Sequence, residues 1–257
     1  MNRLQGKRAL ITGATSGIGL ETARLFAQSG CHLLLNARRA DRLNETVAEL
    51  KAASPSLDVD FFAADVADSR AVEAFLDTYS PAIDILVNNA GLALGTDPIH
   101  AGDPEDWDRM IDTNIRGLLT LTRSVSRGMV EGGSGHIINL GSLAGHETYG
   151  GGTVYCATKH AVRAITLATK KDLHGTGVRV SAVSPGLVDT EFSTVRFKGD
   201  KERADRVYEG MTPLTGGDIA ELIHFIANRP PHVDVLDLLV TPVDQSASTQ
   251  VHRRSLS

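Results

Sequence analysis

A short apolar run at 8–12, Arg-Ala-Leu-Ile-Thr, opens into a glycine turn carrying Gly13, Gly17 and Gly19, and then into a segment with helical spacing of its apolar residues. A strand, a glycine turn and a helix in that order leave few folds open. Such a strand suits a parallel sheet buried on both faces. The glycines permit a tight turn, and the helix behind them offers free N–H groups and the positive end of its dipole to an anion. Ile18, Ala23, Leu25 and Phe26 carry the helix over 17–29, and Gly30 stops it.

The alternation continues along the chain. Strands are predicted at 31–37, 59–63, 83–88, 135–140, 178–184 and 235–240. Helices are predicted at 41–53, 69–79 with Ser69 as N-cap, 104–129 with Pro104 in the first turn, 154–174 and 218–227. This rhythm means an α/β protein: a doubly wound parallel sheet flanked by helices, with right-handed crossovers. No linker, repeat or low-complexity tract divides residues 1–257, so one domain is expected. The more polar stretch 188–214 interrupts the pattern and is predicted to form a lid, and 249–257 reads as an arm or a frayed tail.

Composition bounds the function. Of 257 residues 42% are hydrophobic, enough for a substantial core, and the net charge of −5 gives no support to nucleic-acid or anionic-membrane binding. The start leads straight into a strand with no signal-peptide pattern, and the two cysteines, Cys31 and Cys156, read as reduced thiols; a cytoplasmic location is expected. No Cys/His cluster has the spacing of a metal site.

The chemistry gathers at strand ends. Thr12, Gly13, Thr15, Ser16, Gly17, Ile18 and Gly19 form the turn where a pyrophosphate would sit, though their spacing is not that of the commonest dinucleotide fingerprint. At the end of the second strand, where an acidic residue would hold a ribose 2′-hydroxyl, stand Ala37, Arg38 and Arg39. A guanidinium fork matches a phosphate, so NADP is expected rather than NAD; the alternative is a solvated arginine pair, and Ser16 adds no cation. Asp65 and Val66 follow the third strand, near an adenine, and Asn88, Ala90 and Gly91 close the fourth. Asn88 reads as part of the cofactor floor. Asn114 lies within an apolar helical stretch and could bond the neighbouring strand or organise a water. Tyr155 and Lys159 are four apart on one helix face, where an ammonium beside a phenol is expected to lower its pKa, and Ser142 can hold the same substrate oxygen.

Together these motifs, with Pro185, Gly186 and Thr190, resemble the short-chain dehydrogenases/reductases along nearly the whole chain. The resemblance implies a Rossmann fold, Ser142, Tyr155 and Lys159 as catalytic residues, Asn114 supporting a proton-relay water, and a nicotinamide loop of Pro185, Gly186, Val188 and Thr190. The stretches 89–95, 106–107, 110–114, 172–176, 191–200 and 251–253 look more closely like the NADP-dependent 3-hydroxy acid dehydrogenases, with Ser184 as a departure that changes no catalytic group. That implies a small hydroxy acid or oxo acid as substrate and a homotetramer. Arg196 is the expected carboxylate partner, unless it pairs with Glu191 or Asp200, and His146 and Tyr149 are expected on the opposite wall. A broad-specificity carbonyl or 3-oxoacyl reductase, and a non-catalytic NADP-binding sensor, are the rival readings.

Overall fold

A computed structural model describes residues 1–254. Among these residues, seven strands form one parallel sheet: β1 (Arg8–Thr12), β2 (His32–Ala37), β3 (Val59–Ala63), β4 (Ile85–Asn88), β5 (Gly135–Leu140), β6 (Val178–Pro185) and, beyond two short lid strands, β9 (Asp237–Val240). Their order is β3-β2-β1-β4-β5-β6-β9. Side chains alternate across the sheet, so each strand feeds two cores. Ile11, Leu33, Leu35, Val87 and Ile138 face one layer, packed with Phe26 of α1 (Gly17–Gln28) and Ile219 and Ile223 of α9 (Gly216–Ala227). Leu10, Leu34, Leu86 and Ile137 face the other, packed with Leu121, Val125 and Met129 of α5 (Leu118–Glu131). A side chain buried this fully stabilises the fold by about 1.5–3 kcal/mol.

The strand order reverses between β1 and β4, and that switch point opens a crevice at the carboxyl ends of the strands. Most expected elements are present, with four differences. The helix expected over 104–129 is broken into α4 (Pro104–Ile111), a wide π-turn (Asp112–Gly117) and α5. Asn114 is its cause: its amide is drawn to the Leu92 backbone, and Gly117 lets the chain pass against Val66. Asp68, not Ser69, caps α3 (Ser69–Thr78), accepting from Ala71 N at 3.1 Å. The polar stretch contains β7 (Val188–Asp189) paired in parallel with β8 (Leu214–Thr215), and the helices α7 (Glu191–Arg196) and α8 (Lys201–Arg206).

The fourth difference is the tail. Gln250–Val251 (β11) pairs with Gln245–Ala247 (β10), Arg254 N donates to Gly210 O at 2.7 Å, and the Arg253 guanidinium reaches the carbonyls of Val207 and Glu209. The segment is docked on the end of the lid rather than frayed; residues 255–257 of the expected arm lie outside the described residues.

Candidate active site

A cavity of about 590 Å³ runs along the carboxyl edge of the sheet from the glycine turn to the lid. At one end stand Gly13, Thr15, Ser16, Gly17 and Ile18. Gly13 (φ 65°) and Gly17 (φ 52°) take left-handed conformations that an L side chain rarely adopts. Ser16 is the N-cap of α1 but makes no side-chain cap bond, so the first-turn N–H groups face the cavity uncapped. Gly19 lies beneath the turn and does not line the cavity; a Cβ there would strike the Gly13 carbonyl and the Asn89 amide. Arg38 and Arg39 line the cavity past the end of β2, and Asp65 and Val66 follow β3. The Asp65 carboxylate accepts from Ala67 N at 3.0 Å, fixing that turn.

The floor is built differently from the expectation. Asn88 does not line the cavity. Its amide is buried under the floor, donating to Thr122 Oγ1 at 3.1 Å and Asn139 Oδ1 at 2.9 Å, so it ties β4 to β5. The next residue, Asn89, lines the cavity instead and donates to Thr12 O at 2.8 Å. The Thr12 hydroxyl accepts from Asn89 N at 3.0 Å and Ala90 N at 2.9 Å, locking the glycine turn to the end of β4. Ala90 and Gly91 follow on the cavity wall.

At the other end the structure brings Ser142, Tyr155 and Lys159 together. Ser142 follows β5 and caps a short 3₁₀ turn, accepting from Ala144 N at 3.1 Å. Tyr155 and Lys159 stand one turn apart on α6 (Thr153–Asp172). Burial pushes the Tyr155 phenol above its ordinary pKa; its hydrogen bond to Ser142 and the charge of Arg196 pull the other way without prevailing. The lowering expected from the neighbouring Lys159 does not prevail over that burial. The Lys159 ammonium is itself buried, brought down to about 8, and donates to Leu140 O at 2.8 Å. Desolvation disfavours both charged forms here and outweighs the attraction foreseen from their spacing.

Asn114 does not reach the cavity. Its side chain accepts from Leu92 N at 2.9 Å and donates to Leu92 O at 2.8 Å and Thr158 Oγ1 at 3.1 Å, fastening the loop after β4 to α6. Both N–H groups of that amide are thereby taken, and its oxygen keeps one lone pair.

The lid closes the cavity. Phe192 packs on Tyr155 with ring centroids 5.7 Å apart, and the Arg196 guanidinium lies 5.4 Å from the Tyr149 ring centre and 5.8 Å from that of Tyr155. Arg196 Nε donates to Gly95 O at 3.4 Å. Among the described residues no carboxylate pairs with Arg196: Glu191 faces Arg42 at 3.2 Å, and Asp200 caps α8 through Arg203 N at 3.0 Å. Lys198, the neighbouring lid cation, is held by Asp106 at 2.8 Å. Tyr149 lines the cavity, but His146 does not; its imidazole is turned to Asp237 at 3.5 Å.

Pro185, Gly186, Val188 and Thr190 form the wall between Tyr155 and the glycine turn. Gln245, unforeseen, is buried behind them and accepts from Leu187 N at 2.8 Å; a Cβ on Gly186 would collide with its side-chain oxygen. Only the folding of β10 back toward β6 brings it there, so sequence spacing carried no sign of it.

The cradle fits a dinucleotide: uncapped N–H groups for a pyrophosphate, two arginines past β2, and a trio of Ser, Tyr and Lys at the far end. The chain belongs to the short chain dehydrogenase family, whose model matches residues 7–201. Within it, the chain is 48% identical over 250 residues to an NADP-dependent 3-hydroxy acid dehydrogenase of Salmonella typhi, covering 95% of this chain and 98% of that one. It is 44% identical over 247 residues to a serine 3-dehydrogenase of Agrobacterium fabrum, covering 96% of this chain and 98% of that one. A solved closed form of serine dehydrogenase complexed with NADP⁺ superposes with a TM-score of 0.90 at 45% identity, covering 96% of this chain and all of the other.

Proposed function

We propose that the protein is an NADP-dependent dehydrogenase of a small 3-hydroxy acid, interconverting it with the 3-oxo acid. The observation that carries the substrate class is Arg196. It is a guanidinium with no carboxylate partner among the described residues, held beside Tyr149 and Tyr155 on the cavity wall. A cation in that position calls for an anionic group on the molecule that Tyr155 works on. The names and close similarity of the relatives point the same way.

The glycine turn and the start of α1 would hold the pyrophosphate, Arg38 and Arg39 the 2′-phosphate, and the 185–190 loop the nicotinamide. When bound, NADP supplies the hydride acceptor or donor at its nicotinamide ring. The Tyr155 phenol is the proton carrier. With its pKa raised it stands protonated near neutral pH, ready to donate to a carbonyl oxygen in the reductive direction. In the oxidative direction the same oxygen must take the hydroxyl proton, and that demands its phenolate. Ser142 donates to the reacting oxygen and orients it. Lys159, anchored on Leu140 O, has further N–H groups that would hold the ribose of the cofactor. Asn114 acts through Leu92 and α6, as a positioning residue. Phe192 and Val195 of the lid exclude water from the site.

The proposal includes a homotetramer in the cytoplasm. Two separate apolar sets support it: Ile111, Leu119 and Val130 along the α4–α5 run, and Phe225, Leu239 and Val243 near α9 and β9. Among the described residues no helix is long and apolar enough to cross a membrane.

Cofactor reduction with serine, allo-threonine, 3-hydroxypropionate, 3-hydroxyisobutyrate and the matching uncharged alcohols tests the reading. Turnover of the acids with NADP, well above that of the alcohols, is expected. Equal turnover of the acids and the uncharged alcohols would assign the broad-specificity reductase instead.

A further inference from the structure

Glu191 stands where the lid meets the cofactor cradle. It is the first residue of α7, directly after Thr190, and lines the same cavity as Arg38 and Arg39. Its carboxylate lies 3.2 Å from Arg42 Nη1 and 3.9 Å from Arg39 Nη2. Arg39 is one of the two cations assigned above to the 2′-phosphate. A carboxylate therefore already leans on a guanidinium that an incoming phosphate needs. Glu191 is not the cap of α7, because the Thr190 hydroxyl fills that place by accepting from Phe192 N at 3.3 Å.

We propose that Glu191 is a cofactor-affinity residue: a resident anion that competes with the 2′-phosphate for Arg39, weakens NADP binding selectively, and so keeps cofactor exchange open. Arg42 is the counter-ion that holds the carboxylate in place. The proposal rests on the assignment of Arg38 and Arg39 to the 2′-phosphate. A phosphate monoester carries close to two negative charges near neutral pH, so it meets both competition for Arg39 and repulsion from Glu191. Arg39 and Glu191 side chains are 51% and 54% exposed, so water and salt screen the effect to a modest size. A ligand without the 2′-phosphate has nothing for Glu191 to oppose.

The test is Glu191→Gln, which keeps the shape and removes the charge. Calorimetric titration with adenosine 2′,5′-bisphosphate and with adenosine 5′-monophosphate isolates the phosphate from the nicotinamide and from turnover. At low ionic strength the variant is expected to bind the bisphosphate about three- to tenfold more tightly and the monophosphate as the parent does, with the gain shrinking at high salt. An unchanged or weaker bisphosphate affinity, or a parallel shift for both nucleotides, overturns the proposal. Arg38→Ala with Arg39→Ala, titrated alongside, separates the two levels. A selective loss of bisphosphate there with no gain in Glu191→Gln removes only the role of Glu191. No selective loss in the arginine variant removes the phosphate assignment as well.

Discussion

Replacing Arg196 by alanine tests the substrate assignment at a single group. A guanidinium and a carboxylate can share two charge-assisted hydrogen bonds, each worth about 1.5–3 kcal/mol. Against that stands what Arg196 already has: a long bond to Gly95 O at 3.4 Å and its place beside two tyrosine rings. The first is readily exchanged and the second is kept on binding. A net loss of about 2–4 kcal/mol follows, or about 30- to 1000-fold in kcat/KM for the hydroxy acid. The cation–π contact with Tyr149 and Tyr155 is lost for every substrate, at about 0.5–1 kcal/mol. An uncharged alcohol analogue should therefore lose no more than about fivefold. The lid backbone is retained, since Gly95 N bonds the main-chain carbonyl of Arg196 at 3.0 Å. The assay is steady-state oxidation of the acid and of the neutral analogue at saturating NADP, for Arg196→Ala and Arg196→Lys. Lysine lacks the planar fork and should restore only part of the loss. Parallel losses on acid and alcohol would show that Arg196 shapes the lid and would refute the reasoning.

Arg38→Ala with Arg39→Ala is expected to raise the Kd of NADP at least tenfold, at about 1.5 kcal/mol or more per charged contact, with little change for NAD; equal losses would make the pair a surface feature. Without added ligand, difference absorbance between the parent and Tyr155→Phe should show phenolate only above pH 10, in keeping with its raised pKa. Phenolate appearing near neutral pH would mean that another group overrides burial. Burial brings Lys159 down to about 8 from the ordinary 10.5 of a lysine, so the unfolded chain binds more protons between those values and the parent gains stability as pH rises through that window. Relative to Lys159→Met, urea unfolding should show the parent gaining about 2–3 kcal/mol between pH 7 and pH 10. No relative gain would place the ammonium in a better-solvated setting than its burial indicates.

The layered sheet, the glycine turn and the Ser-Tyr-Lys trio were legible because local signals made them: apolar runs, glycines and a one-turn spacing on α6. The broken helix at Asn114 was not legible, since a tertiary bond to Leu92, far along the chain, decides the turn. Asn88 and Asn89 differ by one position, and alternation across the strand end turns one beneath the floor and the other into the cavity. His146 could not be placed from its nearness to Ser142, because its imidazole turns toward β9, 3.5 Å from Asp237. The direction of the Tyr155 shift failed for a related reason. Spacing told which charges are neighbours but not how thoroughly α6, the lid and β5 remove both from water.

The most direct test of the central claim is the fate of the hydrogen on the carbinol carbon. The enzyme is given NADP and 3-hydroxypropionate deuterated at C3, and the NADPH formed is weighed by mass spectrometry, with Tyr155→Phe as the companion. The account predicts one deuterium in each NADPH from the parent enzyme and a collapse of product with Tyr155→Phe while NADP binding is retained. NADPH without deuterium, or near-parental turnover by Tyr155→Phe, would contradict it.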